Sequence, residues 1–152
     1  MNKVVAIKRR SDCPISFGLD IFGDKWSLLI LRDIMFYHRT RFKDFAPQER
    51  IATNILTDRL NRLEKANLIS KRQDPKLKNQ NIYSVTNQGR ELLPTLIEMT
   101  LWGLQYDPKT LASKEFIQRL ESEKRQLAQE VARSINENAF LEYRQNEMGI
   151  KV

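Results

Sequence analysis

The chain changes its hydrophobic period sharply at Asn67. Before that residue, IATNILTDRLNRLEKA places Ala52, Leu56, Leu60 and Leu63 at the i, i+4, i+8 and i+11 positions of one helical stripe, with Ile55 beside them. After it, LISKR and IYSVT read as two short strands around QDPKLKNQN, a polar loop opened by the turn signal Asp-Pro. A helix followed at once by a basic hairpin cannot bury its own apolar stripe. Further helices must cover it, and the flanking sequence supplies them.

Upstream, a short helix over Ser16–Phe22 is expected to close at Gly23 in a left-handed cap position. Lys25–Phe36 reads as a helix that is apolar nearly all round and belongs at the centre of the core. In HRTRFKDFAP, the i, i+3 pair Phe42 and Phe45 suggests a short helix stopped near Pro47. Thr53 suits the N-cap or first turn of the Ala52–Ala66 helix, and Asn67 tolerates the left-handed conformation that ends one. Downstream, Thr86 can cap NQGRELL, and Pro94 demands either a kink or a new helix start. Leu96, Ile97, Thr100, Leu101 and Leu104 continue as an apolar stripe. Ser113–Glu147 lacks glycine and proline and carries Ile117, Leu120, Leu127, Val131 and Ile135 at near-helical spacing. Lys124 interrupts that stripe, so a bend or exposed turn is expected there.

Three helices, a hairpin and further helices are the plan of a winged helix-turn-helix, mainly α with a small β-hairpin. The expected organisation is a basic arm over 1–12, the DNA-binding domain with its dimerisation helices over 13–108, and a long helical extension over 109–152. Charge follows the same division. Residues 1–90 hold 18 Lys+Arg against 9 Asp+Glu, whereas residues 91–152 hold 8 against 10. The excess therefore sits in the part expected to meet a polyanion.

On a helical wheel with Leu56 at zero, Asn54, Asp58, Asn61 and Lys65 fall within roughly 40° of the opposite pole, flanked by Thr57 and Arg62. Asparagine can bond adenine bidentately, arginine can do so with guanine, aspartate accepts from cytosine, and threonine can touch a thymine methyl. Thr53, Asn54, Thr57, Asp58, Asn61 and Arg62 are therefore the candidate base readers. Asp58 beside phosphate needs a reason, either a cytosine contact or the orientation of Arg59 or Arg62. Arg39, Arg41, Lys43, Arg50 and Lys65, with Lys71, Arg72, Lys76 and Lys78 of the hairpin, are candidate contacts to the DNA backbone.

Other classes fit less well. His38 is the only histidine, and no Gly-rich phosphate loop, nucleophile elbow or paired-carboxylate cluster stands out, so no enzyme and no cofactor is expected. One cysteine and one histidine make a conventional zinc site improbable. No apolar run is long enough to span a bilayer, and the N-terminal apolar stretch is too short for a secretory signal, so a cytoplasmic protein is expected. Trp26, Phe36, Phe42 and Phe45 read as core and the hairpin has only Tyr83, which argues for duplex DNA over RNA. A non-specific architectural DNA-binding protein remains the alternative. A further one is a ligand-responsive regulator with an aromatic pocket at the dimer interface, lined by Trp26, Trp102 and Tyr106.

CPISFGLDIFGDKWSLLILRDIMF, RFKDF, IATNILTDRLNRLEKANLI and YSVTNQGRELLP…WG, in this order, resemble the HxlR-type winged-helix transcriptional regulators over about Cys13 to Tyr106. The resemblance implies a cytoplasmic, homodimeric regulator, with the dimer made by the N-terminal helix and the segment around Leu96–Tyr106. It also implies that Cys13, just before Pro14, occupies the position some members use to sense oxidants or electrophiles. Lys8, Arg9 and Arg10 would favour a thiolate there and Asp12 would oppose it; the alternative is a small buried side chain. This chain departs from the family pattern in having Arg50 and Asn67 where glycines are common, and in its longer tail.

Overall fold

The computed structural model describes residues 10–45, 47, 49–110 and 112–134, with the backbone course alone for 127–134. Most of the expected basic arm and the tail beyond Ser134 lie outside the described residues. In chain order the elements are α1 (Pro14–Phe22), α2 (Ser27–Tyr37), a single 3-10 turn (Phe42–Asp44), α3 (Thr53–Lys65), β1 (Ile69–Gln73), β2 (Asn81–Val85), α4 (Asn87–Arg90), α5 (Leu93–Tyr106) and α6 (Lys114–Ser134). The fold is a mainly helical winged helix-turn-helix with one antiparallel hairpin. The chain forms two compact units, one up to Leu96 and one from Ile97.

The first unit is built around α2. Its Ile30 and Leu31 are fully buried, and α3 and β2 pack against it. The Asp24 carboxylate starts this helix by accepting from the amides of Trp26 at 2.9 Å and Ser27 at 3.1 Å, and from the Ser27 hydroxyl. Partial burial pushes the Asp24 carboxyl up. The Ser27 hydroxyl, the two amides and the nearby Arg59 outweigh that and leave it below the usual range. Leu56, Leu60 and Leu63 of α3 are buried, while α1 and β1 cover the same helix.

The end of α3 fixes where the hairpin begins. Asn67 has φ 57°, its amide donates to Glu64 O, and the Leu68 amide donates back to Leu63 O, both at 2.9 Å. This is a Schellman end, with Leu63 and Leu68 both buried. The strands then pair from Ile69 with Val85 to Gln73 with Asn81. Thr86 caps α4 by accepting from the Gly89 amide at 3.0 Å, and its hydroxyl donates to Asn67 O at 2.6 Å. Of the two alternatives for Pro94, a new helix start is the one observed, with Pro94 in the first turn of α5.

Two local expectations are corrected. Gly23 has φ −75° and is not left-handed. A Cβ there would lie 2.4 Å from Leu19 O, so close approach to the end of α1 is what requires glycine. The expected Phe42/Phe45 helix is only a 3-10 turn. Side chains three apart are aligned in that geometry too, so the spacing could not separate the two. Phe45 is buried edge-on against Tyr83, with ring centroids 5.7 Å apart.

Arg50 has φ 50°, a left-handed conformation in which a Cβ costs roughly 1–2 kcal/mol. Arg50→Gly should therefore stabilise the fold by about 1 kcal/mol, read as a rise of roughly 2–4 °C in Tm. A lowered Tm would mean that contacts of the arginine outweigh its backbone strain.

In the second unit, Ile97 is buried while Met99, Trp102 and Tyr106 lie exposed along one side of α5. The rings of Trp102 and Tyr106 pack on one another at 5.3 Å. Ser113 opens α6 by accepting from the Phe116 amide at 3.2 Å. Of the bend or exposed turn expected at Lys124, the residue is exposed, and α6 continues through it without a break. Its ammonium lies 2.9 Å from Glu98 of α5, which gives the charge a counter-ion without leaving the helix.

Candidate nucleic-acid interface

The apolar stripe of α3 faces the core, so its polar side faces solvent. Thr53, Asn54, Thr57, Asp58, Asn61, Arg62 and Lys65 are all exposed. Their local chemistry differs. The Thr57 hydroxyl donates to Thr53 O at 2.8 Å, which leaves its methyl free for apolar contact. Asp58 pairs with Arg59, and Arg59 also lies 3.0 Å from Asp24. Orientation of Arg59, one of the reasons considered for this carboxylate, is thus the arrangement observed. Arg62 turns towards α1 and donates to Asp20 O at 3.2 Å. Within the described residues, the side chains of Asn54, Asn61 and Lys65 make no hydrogen bond to the rest of the chain, so their full bonding capacity faces outward.

The hairpin is the second basic element. Lys71 and Arg72 lie exposed on β1, and Lys76 and Lys78 lie exposed on the loop. The loop is folded on itself. Asp74 accepts from the amides of Lys76 at 2.8 Å and Leu77 at 3.3 Å, its own amide donates to Gln80 O at 2.9 Å, and the Gln80 amide donates to Leu77 O at 2.8 Å. The Lys76 amide pulls the Asp74 carboxyl below the usual range. Burial pushes the other way, and the Leu77 amide and the Arg41 and Lys76 charges assist the lowering.

The cations before α3 divide into two kinds. Lys43 and Arg50 are exposed. Arg39 is engaged within the protein, 3.1 Å from Asp33 and over the Tyr37 ring at 5.0 Å. Arg32 takes the other oxygen of Asp33 at 2.7 Å and reaches Glu49 at 2.8 Å. The bond from Arg32 is also what chiefly holds the Glu49 carboxyl below its usual range. Arg41 is bonded to Asp74 and Gln80. Sequence reasoning assigned Arg39 and Arg41 to DNA and missed Asp33 and Asp74, which are 0% and 2% exposed. An aspartate inside an almost wholly apolar helix was the available signal for a buried ion pair at position 33.

Cys13 is exposed in the single chain, and its carbonyl accepts from the Phe17 amide at 3.0 Å at the start of α1. Arg10 pairs with Asp20, while Lys8 and Arg9 lie outside the described residues. His38 is exposed with φ 53° and ends α2. Among the described residues no cluster of His, Cys, Asp and Glu could hold a metal ion, and no helix is long and apolar enough to cross a membrane. Of the three candidate pocket aromatics, Trp26 is half-buried beside Lys25, while Trp102 and Tyr106 are exposed.

The chain is similar to known transcriptional regulators in sequence and fold. The HTH-type transcriptional regulator YdeP of Bacillus subtilis, itself uncharacterised, is 32% identical over 114 residues, covering 69% of this chain and 85% of YdeP. The crystal structure of PA1607, described as a candidate transcription factor, superposes with a TM-score of 0.62 at 33% identity, over 69% of this chain and 74% of that one. The redox regulator HypR in its reduced form gives a TM-score of 0.52 at 30% identity, over 63% of this chain and 95% of its own. Residues 21–111 match the HxlR-like helix-turn-helix family, and the chain belongs to that family of transcriptional regulators.

Proposed function

We propose that the protein is a homodimeric repressor that recognises a specific duplex-DNA site through α3 and occupies promoter DNA. The observation that carries this reading is the polar side of α3, where Asn54 and Asn61 point outward beside a basic hairpin. Asparagine amides match the adenine edge, and the lysines supply sequence-independent attraction to phosphate. Met99, Trp102 and Tyr106 on α5, and Ile15 and Leu19 on α1, are exposed apolar side chains of the kind a second copy would cover. A two-fold dimer would read paired half-sites about one helical turn apart.

The test is a binding-site selection from random duplexes, followed by titration of variants at fixed salt. Asn54→Ala and Asn61→Ala should each lose about 1–3 kcal/mol on the selected site and much less on mixed-sequence DNA. Equal losses on both DNAs would show that α3 does not read bases. A selected site without two-fold symmetry, bound by one chain, would rule out the dimer.

Cys13 is the proposed oxidant or electrophile sensor, supported by its exposure and by the likeness to a protein described as a redox regulator. Treatment with hydrogen peroxide, which takes a lone thiol to its sulfenic acid and is itself reduced to water, should change affinity for the selected site in the native protein and leave Cys13→Ser unaffected. The same response in both would make Cys13 a structural residue.

A further inference from the structure

We propose that Arg41 is a positioning residue, which holds the hairpin loop in its DNA-binding shape through Asp74 and makes no phosphate contact itself. This rests on the reading that the loop lysines meet the DNA backbone. The backbone at Arg41 is fixed first. Thr40 O accepts from the Tyr83 amide at 2.8 Å, and Arg41 forms an isolated bridge to Ile82, which ties this segment to β2. From there one guanidinium forks to both ends of the loop. Its Nη2 donates to Asp74 Oδ2 at 2.5 Å, and its Nη1 donates to Gln80 Oε1 at 2.9 Å. The other Asp74 oxygen organises the turn by accepting from Lys76 and Leu77, and the Gln73 side-chain amide closes on Lys78 O.

The charge pattern favours this role. Asp74 is 2% exposed in a loop that is otherwise almost wholly exposed. A carboxylate close to a polyanion opposes binding unless it does something else. Here it neutralises Arg41 and fixes the backbone that carries Lys76 and Lys78. A loop ordered in the free protein loses less conformational entropy on binding than a loose one. Only a planar fork satisfies both acceptors, so lysine at position 41 would keep the charge and lose the geometry.

The experiment measures affinity for a mixed-sequence DNA duplex as a function of salt, together with amide hydrogen exchange of the free proteins. Arg41→Ala and Arg41→Lys should each weaken binding by about tenfold, comparable to leaving one more residue to be ordered, with the salt slope unchanged. Asp74→Ala should also weaken binding, although it removes a negative charge, and Arg41→Ala/Asp74→Ala should be no weaker than the poorer single variant. In free Arg41→Ala, exchange at the amides of Asp74, Lys76 and Gln80 should quicken while that of α3 stays as in the native protein.

A salt slope reduced by about 0.9 in Arg41→Ala, rescue by lysine, and tighter binding by Asp74→Ala would overturn the proposal and make Arg41 a phosphate contact. Unchanged exchange of the loop amides in Arg41→Ala would overturn it without reference to DNA. Lys76→Ala is the control for the underlying reading and should itself reduce the slope by about 0.9. If Lys76→Ala changes neither slope nor affinity, the loop does not touch DNA and the proposal falls with that reading.

Discussion

Gly89→Ala should destabilise the protein by about 3 kcal/mol or more, at or beyond the upper end for overpacking, and lower Tm by roughly 10 °C. A Cβ at Gly89 would lie 2.0 Å from Leu68 O and 2.7 Å from Val85 Cγ2. The side chain of Val85 can be trimmed, but the carbonyl of Leu68 cannot rotate aside. That carbonyl accepts from the Thr86 amide at 3.1 Å, and its residue completes the Schellman end of α3. Displacing it would disturb the end of α3, the first strand pair and the cap of α4 together. Gly89→Ala/Val85→Ala should accordingly recover little of the loss. Differential scanning calorimetry decides the matter, and a Tm within about 2 °C of the native value would show that α4 can move away from the hairpin at little cost.

Asp33→Ala should be of similar size, about 3 kcal/mol, because removing one member of a buried ion pair strands the other. Asp33 is fully buried, and two guanidiniums share it, those of Arg32 and Arg39. Both arginines keep partial access to water, at 20% and 28%, which places the loss towards the low end of the range for such pairs. Arg39 would also lose its carboxylate. Stability should fall while affinity for mixed-sequence DNA rises at low salt, with a slope steeper by about 0.9 if the released cation reaches phosphate. Urea denaturation checks the first half and a salt titration the second. A midpoint near the native value would mean that Arg32 and Arg39 find water without Asp33.

The elements set by local chemistry were legible in the sequence. The stripe of Leu56, Leu60 and Leu63, the strand pair around Asp-Pro, the cap at Thr86 and the left-handed Asn67 each depend on residues within a turn or two, and each is present. The departures have physical reasons. Phe42 and Phe45 share a side in an α-helix and in a 3-10 turn alike, so their spacing does not choose. Gly23 is demanded by a close approach that a sequence pattern does not encode. Arg41 meets Asp74 across 33 positions and Lys124 meets Glu98 across 26, pairings that only the tertiary fold creates. The outward side of α3 was legible as a surface. Which of its cations are already committed inside the protein was not.

Because α3 is anchored by one side and presents the other, its two sides answer to different constraints. Leu56, Leu60 and Leu63, with Arg59 and Arg62 reaching back to Asp24 and Asp20, tie the helix to the body. Asn54 and Asn61 contribute nothing to that attachment within the described residues. Exchanges at such positions change stability by only about ±0.5 kcal/mol. If α3 reads bases as proposed, two copies of the gene could drift to different operators by point changes at 54 and 61 while sharing an unaltered scaffold, and a protein engineer could retarget the chain along the same route.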